Sequence, residues 1–197
     1  MVCQSAGGEP APMTPVLEAA RDLQAFLTAR QWKFCIIGGI ALLRWGEPRF
    51  TRDVDVTLLS GFGREDEFIA PLLESGYRGR VADAVAFAHR NRVLVLTAPN
   101  GTPIDIALGG LPFEEEMAER SSLFDFARGC RLRTCSAEDL IILKLFAFRP
   151  RDLLDVETVV VRQRGALEWA YVERHLRPLS EAKEQPSILD TLARLRG

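Results

Sequence analysis

The stretch GEPRFTRDVDVTLL, residues 46–59, constrains the fold more than any other part of the chain. It reads as a strand, and a strand turns alternate side chains to opposite faces. Arg49, Thr51, Asp53 and Asp55 then share one face, and Val54, Val56 and Leu58 share the other. Two carboxylates so spaced lie roughly 6–7 Å apart. At an effective dielectric near 20 their repulsion opposes folding by roughly 2–3 kcal/mol. A chain that keeps this pair needs something to offset it.

Composition narrows the means. The net charge of −2 over 197 residues gives no global attraction to nucleic acid or anionic membrane, although the arginines are unevenly placed. The longest apolar run, FCIIGGIALL, is too short to span a bilayer, and the first residues, MVCQSAGGEPAPM, lack the basic and apolar regions of a secretory signal. Four cysteines (Cys3, Cys35, Cys130, Cys135) form no zinc-type spacing. A Cys130–Cys135 bridge stays open, but a reduced, cytoplasmic protein with no membrane partner is the expectation. Two distant histidines, His89 and His175, give histidine-based chemistry little material.

Along the chain, Thr14 and Pro15 start an amphipathic helix carrying Val16, Leu17, Ala20, Leu23 and Leu27. KFCIIGG reads as a buried strand ending at Gly38-Gly39, and IALLRW as a short helix stopped near Gly46. EDEFIAPLLESGY is a further helix; VAFAH, RVLVLTA and PIDIALGG are three β-rich runs, the last two joined by an Asn100-Gly101 hairpin. The triple glutamate at 114–116 reads as a solvated helix face, and the arginines of FARGCRLRTC as an edge strand or a positive rim for a polynucleotide. Ser136 and Asp139 form a near capping box for SAEDLIILKLFAF, Pro150 separates it from the next helix, and two more helical segments follow. The expected plan is an α+β fold: a flexible N-terminus at 1–13, an α/β core at 14–125 with a mixed sheet flanked by helices, and a helical lobe at 126–197.

Asp105, in TPIDIALGG, is a lone carboxylate in another apolar strand, disfavoured there unless something compensates. If that strand lies beside the Asp53–Asp55 strand, three anions converge, and a divalent cation relieves them. Mg²⁺ (or Mn²⁺) suits a few carboxylates plus substrate phosphate oxygens. Gly38-Gly39, at a strand-to-helix turn, permits close backbone approach to a phosphate, or is simply a tight turn.

Taken together, Gly38-Gly39-x-Ala41, then Arg49-x-Thr51-x-Asp53-x-Asp55, Asp105, Lys144 and Arg149-x-Arg151-Asp152-x-x-Asp155 resemble the DNA polymerase β-like nucleotidyltransferase superfamily, in its AbiEii/AbiGii-toxin-like branch. The resemblance runs from about Lys33 to about Val161. It implies a nucleotidyltransferase fold whose helical lobe closes over the nucleotide. It also implies Asp53 and Asp55 as metal ligands, with Asp105 as a third ligand that helps activate the acceptor hydroxyl. Lys144, with Arg149, Asp152 and Asp155, is then aimed at the nucleotide, alongside Gly38, Gly39, Arg49 and Thr51. From the residues alone Lys144 also reads as a snorkelling surface lysine, Arg49 as a structural ion-pair partner, and the two helical aspartates as a complement to a helix N-terminus.

The expected activity is transfer of an NMP from an NTP to a hydroxyl on RNA, such as a tRNA 3′ end, or on protein, with a cognate antitoxin as a possible partner. The alternatives are an AMP-transferring antitoxin, whose branch usually carries Gly-Ser in place of Gly38-Gly39, a catalytically idle nucleotide-binding module, and a drug-modifying transferase.

Overall fold

The computed structural model describes residues 13–196. The expected flexible segment at 1–13, with Cys3, lies outside them apart from Met13. In chain order the elements are α1 (Pro15–Ala29), β1 (Phe34–Ile36), α2 (Gly38–Trp45), β2 (Val54–Leu59), α3 (Asp66–Glu74), β3 (Arg78–Gly79), α4 (Ala84–Asn91), β4 (Val93–Thr97) and β5 (Pro103–Gly109). They continue with α5 (Pro112–Arg120), β6 (Ser122–Ala127), β7 (Cys130–Thr134), α6 (Ala137–Ala147), α7 (Pro150–Arg162), α8 (Trp169–Ala182) and α9 (Ser187–Arg196).

The strands form one mixed sheet in the order β3-β4-β5-β2-β1-β7-β6. β2 runs parallel to β5 and β1 parallel to β7; the other neighbours are antiparallel. The Asn100-Gly101 turn joins β4 to β5 as the sequence predicts, with Gly101 at φ +86°. Alternation assigns the faces. Val54, Val56 and Leu58 of β2, Leu94 and Leu96 of β4, and Ile104 and Ile106 of β5 point into one core with Leu23 and Leu27 of α1 and Ile69 and Leu72 of α3. A second core gathers Leu42 of α2, Met117 of α5, Leu140, Ile141 and Leu145 of α6, Val156 and Val159 of α7, and Leu176 of α8.

Capping signals hold where the sequence shows them. The Thr14 hydroxyl accepts from Leu17 N–H at 3.3 Å, and Ser136 Oγ accepts from Asp139 N–H at 3.1 Å. Phe148 ends α6 in the left-handed region at φ +58°, and Pro150 begins α7 immediately afterwards, so the two helices fold sharply against each other.

Several expectations are corrected. VAFAH is helical: Asp83 caps α4 by accepting from Ala86 N–H at 2.9 Å, and Ala84 and Ala88, four apart, supply the buried stripe. The long strand read from residue 46 begins only at Val54, because residues 46–53 form an irregular loop tied to α7. The boundary drawn at 125/126 falls inside β6, and the uninterrupted helical part starts at Ala137. The glutamate run is not simply solvated: Glu114 accepts from the N–H groups of Gly110 and Leu111, and Glu116 pairs with Arg174 and His175. Cys35, Cys130 and Cys135 are free and buried, so the Cys130–Cys135 bridge is absent.

Candidate active site

The parallel pairing of β2 with β5 sets Asp55 directly opposite Asp105 in register. Asp53 ends the preceding loop, where Thr51 Oγ1 donates to its Oδ1 at 3.1 Å. Asp55 and Asp105, 50 residues apart in sequence, thus reach one place because of strand register, and Asp53 joins them from two residues before Asp55. All three line a cleft of about 770 Å³ between the sheet and the helical lobe.

Gly38 and Gly39 form part of the cleft's wall, at the N-terminus of α2. Gly38 has φ +61°, and a Cβ there would sit 1.9 Å from Asp55 Oδ2. A Cβ on Gly39 would sit 2.3 Å from Thr51 Oγ1. The glycine pair is therefore required by the close approach of two side chains that the sequence had already marked, and not by a tight turn alone.

Burial pushes the Asp55 pKa up to about 6, and the charges of Asp53 and Asp105 add to the rise. A backbone hydrogen bond from Gly39 and the more distant Lys144 charge oppose it. The cation that touches this trio among the described residues is Arg80, whose guanidinium pairs with Asp105 Oδ1. Arg80 follows the two-residue β3 and was not foreseen from the sequence; no periodic pattern marks it.

Across the cleft the carboxylates of the helical lobe are matched by cations. Lys144 is only 6% exposed, so it is not a snorkelling surface lysine. Its Nζ donates to Asp155 Oδ2 at 2.6 Å and to Asp152 Oδ1 at 3.2 Å. Arg49 donates through Nε and Nη2 to the two oxygens of Asp155, both at 2.9 Å. This fork ties the 46–53 loop to α7, helped by Glu47 N–H donating to Thr158 Oγ1 at 3.0 Å. Burial pushes the Asp155 pKa up, but the hydrogen bonds from Arg49 and Lys144 more than offset it, and the net shift is downward.

Asp152 and Asp155 share a helix face but differ in use. Asp155 is buried behind the cleft with both oxygens engaged, whereas Asp152 lines the cleft and its Oδ2 is buried with no hydrogen-bond partner. Arg149 and Arg151 also line the cleft, exposed. Arg128, Arg131 and Arg133 do not: they sit at the far β6–β7 edge, outside the cleft wall, so they form no rim to it.

The carboxylates fit a hard divalent cation, which takes oxygen donors, and a double positive charge would relieve the raised pKa of Asp55. No set of three or more His, Cys, Asp or Glu side chains among the described residues is already closed around a single point, and Arg80 occupies one oxygen of Asp105. A cation would therefore displace or share with that guanidinium.

The sequence model of the AbiEii nucleotidyl transferase toxin family, from a type IV toxin–antitoxin system, matches residues 23–196. The chain belongs to this family. Two solved structures share the fold of this AbiEii-family chain. An antigenic nucleotidyltransferase-like protein from Paracoccidioides brasiliensis is 18% identical, with a TM-score of 0.54 over 93% of this chain and 95% of that one. The antibiotic-resistance factor ANT(2″)-Ia, in its solution structure, is 16% identical, with a TM-score of 0.53 over 85% and 92%. No curated protein matches the chain in sequence. Among the described residues no helix is long and apolar enough to cross a membrane.

Proposed function

We propose that the chain moves an NMP from an NTP to a hydroxyl acceptor on RNA or protein, as a cytoplasmic toxin-type enzyme answered by a cognate antitoxin. The observation that carries this reading is the in-register pair Asp55–Asp105, with Asp53 beside it, on the floor of a cleft where carboxylates outnumber contacting cations. Asp53, Asp55 and Asp105 would hold Mg²⁺ or Mn²⁺, which supplies charge neutralisation for the triphosphate and the departing pyrophosphate.

The chain's own groups account for the rest. Asp105, whose side chain is about one-third exposed, takes the hydroxyl proton as the oxygen attacks the α-phosphorus. The new P–O bond forms while the bond from the α-phosphorus to the bridging oxygen breaks, and pyrophosphate carries that electron pair away. Gly38 and Gly39 let Asp55 and Thr51 close against the α2 N-terminus, whose N–H groups favour anions. An ammonium has three donors, and Lys144 spends two on Asp152 and Asp155, leaving one for the cleft. Asp152 Oδ2, buried and unpartnered, is an acceptor for a donor on the substrate, such as a ribose hydroxyl. Arg49 and Asp155 hold the 46–53 loop in place and act through it.

Incubation with each labelled NTP, Mg²⁺ and total RNA tests the reading. Label in RNA, lost in Asp55→Asn, is the expected result. Label in a co-purified protein moves the acceptor to protein, and no Asp55-dependent label in either overturns the proposal.

A further inference from the structure

Phe50 is 76% exposed and lines the mouth of the cleft. Its neighbours explain why. Arg49 is pinned inward to Asp155 and Thr51 to Asp53, so the ring between them is turned out and held there. Leaving a phenylalanine in water forgoes the gain of burying it, and here the anchored neighbours keep it from folding back. Arg52 places its guanidinium carbon 5.7 Å from the ring centroid. Arg149 and Arg151 line the same cleft from the other side. Among the described residues none of these three arginines has a carboxylate within ion-pair reach, whereas Arg49, Arg80 and Lys144 in the same region are all paired.

A displayed aromatic face with unpaired guanidinium groups around it suits a ligand that is flat at one end and anionic at the other. Stacking plus phosphate contact is the way proteins hold unpaired nucleotides without reading their sequence. We propose that Phe50, flanked by Arg52, Arg149 and Arg151, is a stacking platform for a nucleobase. The assignment rests on the nucleotidyl-transfer reading above. The base has two possible sources, the NTP itself or an unpaired end of an acceptor strand, and the ring can serve both only by exchanging one for the other.

The test compares wild type, Phe50→Ala and Phe50→Trp, each checked for an unchanged melting temperature. Two ligands are titrated: a non-hydrolysable NTP analogue with Mg²⁺, and a short single-stranded oligoribonucleotide without NTP. Loss of one stacking contact predicts that Phe50→Ala weakens one of them about 5- to 150-fold. Phe50→Trp retains that affinity, and the added indole emission is quenched on binding. The ligand that weakens identifies the source of the base. If wild type binds either ligand and Phe50→Ala binds both equally well, the platform is refuted while the nucleotide reading stands. If wild type binds neither, both fall.

Discussion

Two acidic clusters face each other across one cleft, and their charge balance differs. On the sheet side, Asp53, Asp55 and Asp105 meet a single contacting guanidinium, that of Arg80. On the helical side, Asp152 and Asp155 meet Lys144 and Arg49, one cation for each carboxylate. These matched charges fasten the 46–53 loop to α7, with Asp152 Oδ2 left without a partner. The sheet cluster is left short of positive charge, and there burial, with the charges of Asp53 and Asp105 adding to it, raises the pKa of Asp55. The same residue types thus stand matched by cations in one place and short of them in the other.

The sharpest way to break this comparison is to neutralise one carboxylate on each side. Asp55→Asn should lower transfer by about a thousandfold or more, because the charge stabilisation it removes acts on the transition state, and single-turnover labelling of RNA would measure it. Asp155→Ala should instead unfold the arrangement: Lys144 and Arg49 lose their shared partner, at a cost near the low end of the ~3–5 kcal/mol for breaking a buried pair, seen as a lower denaturation midpoint. Asp152→Asn keeps an acceptor for Lys144 and should change stability by about 1 kcal/mol or less while still impairing transfer. Equal stability losses from Asp152→Asn and Asp155→Ala would erase the distinction drawn between them.

Much of this site was legible in the sequence because its signals are local. Asp-x-Asp in an apolar run, a lone Asp105 in a second one, and a glycine pair before a helix all stand out without any knowledge of the fold. Strand register then brought Asp55 and Asp105 together as the apolar pattern of both runs allows. Long-range contacts were the part that could not be read. Arg49 meets Asp155 across 106 residues, and Arg80 reaches Asp105 from a strand of two residues with no period to detect. Whether Lys144 faced solvent or carboxylates depended on the tight α6–α7 turn, and whether Asp152 or Asp155 kept a free oxygen depended on where Arg49 went. Errors of element type came from short segments: VAFAH carries β-compatible residues, and its Asp83 cap outweighs them.

A smaller effect sharpens the contrast through pH. Asp55 titrates near pH 6 when folded and near 3.8 when free, so the folded state tolerates its neutral form better. That tolerance is fully present below about pH 4 and is lost as pH rises through 6, a difference of about 2–3 kcal/mol. Metal-free protein should therefore gain stability as pH falls from 7 toward 5. Below about pH 4 the gain reverses as Asp155, whose pKa is lowered by its partners, becomes protonated. Asp55→Asn should abolish the gain between pH 7 and 5; urea midpoints at each pH would show it. The smallest expected change is at Arg80. Its pair with Asp105 is about one-third exposed, so Arg80→Gln should tighten Mn²⁺ binding, read by water relaxation without NTP, about two- to fivefold, with Arg80→Lys close to wild type.

A cation that completes the sheet-side cluster should stabilise the fold, and the melting temperature with and without saturating Mg²⁺ or Mn²⁺ at pH 7 tests this most directly. Binding at about a hundred times the dissociation constant should raise the midpoint of the wild-type protein by about 5–10 °C, and that of Asp55→Asn by almost nothing. A wild-type midpoint indifferent to both metals, or an equal rise in Asp55→Asn, would contradict it.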